Sequence, residues 1–198
     1  MSREEENIIG ARLFQVLQSP EVKRIDFNMA HIKVDAAGFQ NVVVSLMLGT
    51  LHIGVERMTG GAAAKYYTHG NKFAFPNVSF GTDDNEKAYL VHEAVHAMQD
   101  INYGYDFTRG DYFTMESENE AAAYVAGVLY DMYKNLDTNY TDSVWKVAKG
   151  IALKIKNTPG AEVSDADTRA LRTAVAASPT YKSATFASES TYSDGASQ

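Results

Sequence analysis

The sequence predicts a mostly helical α+β domain in which a small antiparallel sheet precedes the helix that carries the chemistry. Three observations lead there. Several segments repeat apolar residues at helical spacing, the stretch from Leu51 to Phe80 breaks into short β-branched and aromatic runs, and 198 residues at 45% hydrophobic composition suffice to bury one core. One domain over residues 1–178 is expected. Residues 179–198 are rich in Ser and Thr, lack core-forming periodicity, and are expected to be a mobile tail.

Taken in order, Ile8, Ile9, Leu13, Val16 and Leu17 mark an amphipathic first helix from Glu4 to Leu17, which Ser19-Pro20 ends. Asp35 can cap a second helix that Gly49 closes, although Val42-Val43-Val44 would also suit a strand. LHIGVERM, AAAKYY and KFAF then read as strands of an antiparallel sheet, with a hairpin turn at His69-Gly70-Asn71. Pro76 ends the last of them and suggests an edge position, where a missing N–H is tolerated. Asp83, with Glu86 three residues on, forms a capping box for a helix to about Ile101, with Ala88, Val91, Val95 and Met98 as its buried stripe. Further helices are expected over residues 112–136, residues 142–156 and from Ser164 or Asp165 to about Ala177.

Composition narrows the function. With no cysteine, thiolate chemistry, thiolate metal sites and disulfides are excluded, so any metal must be held by His, Asp or Glu. A net charge of −7 spread along the chain argues against a nucleic-acid partner. Glu4-Glu5-Glu6 stand where a secretory signal carries positive charge, and the longest apolar run, Val42 to Leu48, is too short to span a membrane. The expectation is a soluble protein, cytoplasmic or exported without a cleaved N-terminal signal.

The chemistry concentrates in LVHEAVHAMQD. His92 and His96, four apart on a helix, project to one side and can share a metal ion, while Glu93 is offset towards the water such an ion activates. His92 and His96 are therefore candidate ligands of Zn2+ and Glu93 the candidate general base. A third ligand should follow on the helix containing Glu116, Glu118 and Glu120. Glu116 and Glu120 share a face with the small residues Ala123 and Gly127, which allow close approach, whereas Glu118 points roughly 200° away from Glu116. Glu120 lies nearest those small residues and ranks first, with Glu116 second. Tyr103, Tyr105 and Tyr112 lie in or beside the loop between the two helices, where a phenol could donate to a developing oxyanion. His31, His52 and His69 have no such partner pattern.

His92-Glu93-Ala94-Val95-His96, with Asn119-Glu120-Ala121 on a downstream helix, resembles the gluzincin branch of the zincin metallopeptidases. The resemblance covers about residues 51–131. It implies zinc ligands at His92, His96 and Glu120, a general base at Glu93, and Asp100 supporting the second histidine. It also implies a cleft-lining edge strand, Lys72, Phe73, Ala74 and Phe75, able to pair with an extended peptide or protein substrate. Where some family members carry an aspartate that orients the first histidine, this chain has Tyr124, so the other nitrogen of His92 needs a different partner, such as a backbone carbonyl. The resulting expectation is a zinc metallopeptidase, with a catalytically silent zincin-like binding or regulatory protein as the alternative.

Overall fold

A computed structural model describes residues 3–58, 63–103 and 116–181. The architecture is α+β: helices α1 (Arg3–Leu17), α2 (Ala36–Leu48), α3 (Asp84–Tyr103), α4 (Glu116–Tyr133), α5 (Ser143–Ile155) and α6 (Asp165–Ala177) surround two small sheets. One sheet holds β1 (Phe27–Met29), β2 (Ile32–Val34) and β6 (Ala161–Val163); the other holds β3 (His52–Val55), β4 (Lys65–Tyr67) and β5 (Lys72–Phe75). One hydrophobic cluster runs through the described residues from Ile9 to Val175. No helix among them is long and apolar enough to cross a membrane.

Local chemistry sets most helix ends. The Asp35 carboxylate accepts from the Gly38 N–H at 2.8 Å, and Gly49 closes α2 in the left-handed region at φ 74°. Val42 and Val43 are buried on that helix, so packing and two good caps outweigh their β preference. Asp142 and Ser164 cap α5 and α6. At α3 the capping box is modified: Asp83 accepts from the Asn85 N–H at 2.7 Å, but Glu86 reaches past it to the Gly81 N–H at 2.8 Å. Gly81 sits at φ 83°, and a Cβ there would fall 2.7 Å from Leu90 Cδ1, so only glycine fits this entry to the helix. α4 is described from Glu116; the expected first turn at residues 112–115 lies outside the described residues.

The sheets differ from expectation in two ways. The first is that β5 is the central strand and not an edge: β3 pairs with it in parallel, from His52↔Lys72 to Val55↔Phe75, and β4 pairs antiparallel on its other side, from Lys65↔Ala74 to Tyr67↔Lys72. The hairpin turn at residues 68–71 does form, with Gly70 and Asn71 at positive φ. Pro76 lies just past the last paired residue, where its missing N–H costs nothing. The run Phe73-Ala74-Phe75 is wholly buried, as suits a strand covered on both faces.

The second is the unforeseen sheet β2-β1-β6. β1 and β2 alternate cleanly, with Phe27, Met29, Ile32 and Val34 at 0% exposure and Lys33 outward. Their turn carries Ala30 at φ 53° instead of glycine or asparagine, so the usual hairpin signal is absent. β6 joins β1 in parallel from 134 positions downstream, a pairing no local pattern announces.

Candidate metal centre

α3 lies in the middle of the molecule and is buried on almost every side from Leu90 to Asp100. Polar groups there must satisfy one another, because an unpaired buried charge costs several kcal/mol. The i, i+4 spacing brings His92 Nε2 and His96 Nε2 to 3.3 Å of each other. α4 carries Glu120 to the same point, with Oε2 3.3 Å from His92 Nε2 and Oε1 3.5 Å from His96 Nε2.

These separations have a simple meaning. In a tetrahedral site with bonds of about 2.0–2.1 Å, donor atoms stand about 1.63 bond lengths apart, or roughly 3.3–3.4 Å. The three side chains therefore outline one face of a metal tetrahedron, and two imidazoles with a carboxylate are a donor set suited to a divalent transition metal. His92, His96 and Glu120 together can hold a metal ion.

Close approach of α3 and α4 makes this possible. Ala121, Ala122 and Ala123 are fully buried at the contact. A Cβ placed on Gly127 would stand 3.0 Å from the Ala88 carbonyl oxygen and 3.1 Å from the Trp145 ring, so a side chain there would push the helices apart.

Burial alone would lower the basicity of His96, but the Glu120 carboxylate more than offsets this and raises its pKa to about 9. The same histidines hold Glu120 well below the usual carboxylate range despite its burial. In the metal-free protein the cluster is thus an imidazolium–carboxylate pair, and a cation entering it displaces a proton.

Glu93, 7% exposed, sits beside the cluster. Burial raises its pKa, and the neighbouring histidines oppose that rise. Its Oε2 accepts the Tyr66 N–H at 2.7 Å, on the side of β4 that faces away from β5. The Tyr66 hydroxyl donates in turn to Asp100 at 2.7 Å. Asp100 thus ties β4 to α3, and the oxygen that meets His96 Nδ1 belongs to Gln99, at 3.2 Å. The Gln99 amide also donates to the Asn119 carbonyl at 3.3 Å, bracing the residue before Glu120.

His92 has no such brace. Its Nδ1 is buried and has no hydrogen-bond partner among the described residues, so the expected backbone carbonyl is not there. Aromatic packing orients the ring instead: Tyr124 meets it edge-on at 4.6 Å and Trp145 lies at 6.3 Å. Tyr124 stands beside the ring as an apolar wall and supplies it no acceptor.

Tyr181 is the residue that sequence reasoning missed. It lies in the expected tail, yet its hydroxyl donates to Glu120 Oε2 at 2.6 Å and stands 3.1 Å from the Tyr124 hydroxyl. The body of the fold therefore extends at least to Tyr181, because an interior carboxylate anchors it; residues 182–198 lie outside the described residues. Tyr181 is one of three aromatics in that Ser/Thr-rich stretch, with Phe186 and Tyr192, and no sequence signal singles it out.

Of the remaining candidates, Tyr105 and Tyr112 lie outside the described residues, as do the side chains of Tyr103 and Glu116. Glu118 turns away from the cluster to Arg172, at 2.6 Å, as its helical phase requires. Lys72, Phe73, Ala74 and Phe75 cannot receive a peptide strand, because both edges of β5 are already paired and Lys72 is tied to Glu56 at 3.0 Å. The strand flanking Glu93 is β4. Comparisons with protein-family models, with curated proteins and with solved structures return no match.

Proposed function

We propose that the protein is a zinc-dependent metallopeptidase, hydrolysing peptide bonds in a peptide or protein substrate. The observation that carries the reading is the coincidence of three donor atoms at tetrahedral spacing with a buried carboxylate, Glu93, beside them. His92, His96 and Glu120 hold the ion, and zinc, when bound, polarises a carbonyl and lowers the pKa of water to about 7. Glu93 accepts the proton of the attacking water. Its Oε2 is held by the Tyr66 N–H, which leaves the other oxygen for that transfer. Tyr181, whose single phenolic proton goes to Glu120 in the metal-free cluster, would turn that donor to negative charge developing on the substrate oxygen once the ion holds Glu120, the role expected of Tyr103, Tyr105 or Tyr112. The substrate lies along β4, the strand that meets Glu93.

Zinc content and cleavage together test this. The protein should retain about one zinc per chain after dialysis and cleave casein or a peptide library. Glu93→Gln should keep the zinc and lower cleavage by about 10²–10⁴-fold. Retained zinc with no cleavage of any library substrate would overturn the peptidase reading in favour of a silent metal-holding protein. No retained metal would overturn both.

A further inference from the structure

A second cavity, of about 240 Å³, opens between the N-terminal half of α3, the C-terminal half of α4 and the start of α5. None of its lining residues is a ligand of the metal cluster. Tyr89, Tyr140 and Trp145 form its aromatic wall: Tyr140 stacks on Trp145 at 5.2 Å and Tyr89 meets Trp145 edge-on at 5.2 Å. Asn85, Asn139 and Asp142 form an exposed polar rim. Asp131, 2% exposed, lies at the floor.

The Asp131 carboxylate is half satisfied. Its Oδ2 accepts from the Tyr140 hydroxyl at 2.5 Å and from Thr138 at 3.3 Å, while its Oδ1 is buried with no hydrogen-bond partner among the described residues. Buried carboxylate oxygens are rarely left bare, since their lost hydration then goes uncompensated. The Lys149 ammonium is engaged elsewhere: it donates to the Thr138 carbonyl at 2.9 Å and stands 5.8 Å from the Tyr140 ring.

We infer that this cavity is a binding site for a primary ammonium group on a short alkyl chain, either a free amine or a lysine side chain. The ammonium donates to Asp131, whose carboxylate turns its closed-off Oδ1 toward the cavity on binding, and the alkyl chain packs on the aromatic wall. Aromatic rings and a carboxylate together favour an organic cation, the more so when it is desolvated. A metal ion is disfavoured because the lining offers two carboxylates, Asp131 and Asp142, and no third His, Asp or Glu; among the described residues the metal-capable group is the histidine cluster. Size points the same way. At about 240 Å³ the cavity falls below the roughly 300–1,000 Å³ of sites for drug-sized molecules and suits a single side chain or a small amine. Ionisation of Asp131 is opposed by burial, which pushes its pKa up to about 6, so the charged form that recruits an ammonium prevails at pH 8.

Trp145 is the one tryptophan in the chain, so its fluorescence reports the cavity directly. Because its ring also nears His92, the titration is run at pH 8 with metal content held constant. n-Butylammonium chloride and N-acetyl-lysine amide are added against sodium chloride at equal ionic strength, with n-butanol as the uncharged control. At least one amine should give a saturable change with a millimolar or tighter Kd, and the tighter of the two identifies the source as free amine or side chain. Butanol should bind at least 10-fold more weakly, and Asp131→Asn should weaken amine binding by 10-fold or more. Should that variant fail to fold, amide chemical shifts of the unaltered protein give the same answer, moving at Tyr89, Asp131 and Tyr140. No saturation up to 50 mM, equal binding of butanol, or shifts confined elsewhere would overturn the inference.

Discussion

At the scale of single residues, burial of polar groups decides what each side chain can do. α4 delivers Glu120 to both imidazoles, so Glu120→Ala should abolish retention of zinc through dialysis while Glu118→Ala leaves it intact. Gln99 orients His96 and braces Asn119, so Gln99→Ala should weaken zinc binding by about 10–100-fold in a competition titration, with cleavage restored by added metal. Asp131 supplies a pH signature. Its folded pKa of about 6 lies above the ordinary 3.8, so the protonated form is preferred in the fold. The stability this brings is fully present below about pH 4 and is lost as pH rises through 6, up to about 3 kcal/mol. Desolvation is the main cause; Asp84 adds to it, while Lys149, Tyr140 and Thr138 oppose it. Asp35, Asp84 and Asp167 shift downward and act in the opposite sense, so the comparison with Asp131→Asn is what isolates the effect. Denaturation at pH 4 and pH 7 should show that variant losing less stability between the two than the unaltered chain.

At the scale of elements, what was readable in the sequence was what neighbours in the chain decide. Asp35 and Gly49 announced α2, Ser164 announced α6, and the two histidines announced a shared face of α3. Helical phase separated Glu120 from Glu118, because the small residues on α4 mark the side that meets α3. Pairings between distant segments were not readable. β5 became central because β3 arrives beside it in parallel, and the unbroken apolar run Phe73-Ala74-Phe75 was the one hint of a strand covered on both faces. The β1–β2 turn lacks glycine, and β6 comes from the far end of the chain. The contact between α3 and α4 is the element-scale claim most open to test. Alanine is a better helix former than glycine by about 1 kcal/mol, yet Gly127→Ala should destabilise the protein by about 1–3 kcal/mol and weaken zinc binding, because its Cβ meets a backbone carbonyl. Higher stability with unchanged metal affinity would show that the helices have room to spare.

Across the whole molecule, the metal cluster is assembled by parts that are remote in sequence. α3 supplies the imidazoles and Glu93, α4 supplies Glu120, β4 holds Glu93 through Tyr66, and the segment after α6 returns Tyr181 to Glu120. The gap between motif and site lies here: HEAVH is local and legible, whereas Tyr181, Gln99 and Trp145 acquire roles only when the chain closes on itself. Tyr181→Phe should cost the metal-free protein about 1.5–3 kcal/mol, the range for a hydrogen bond to a charged group. With zinc loaded, under the proposed peptidase activity, it should lower kcat more than it raises KM, since the phenol is proposed to act on charge that develops only as the reaction proceeds.

The most direct test of the account is anomalous scattering at the zinc edge from crystals of the zinc-saturated protein. One peak is predicted, about 2.0–2.2 Å from His92 Nε2, His96 Nε2 and a Glu120 carboxylate oxygen, with Glu93 beside it and not bonded to it. A peak with ligands other than these three, or no peak between the histidines, would contradict it.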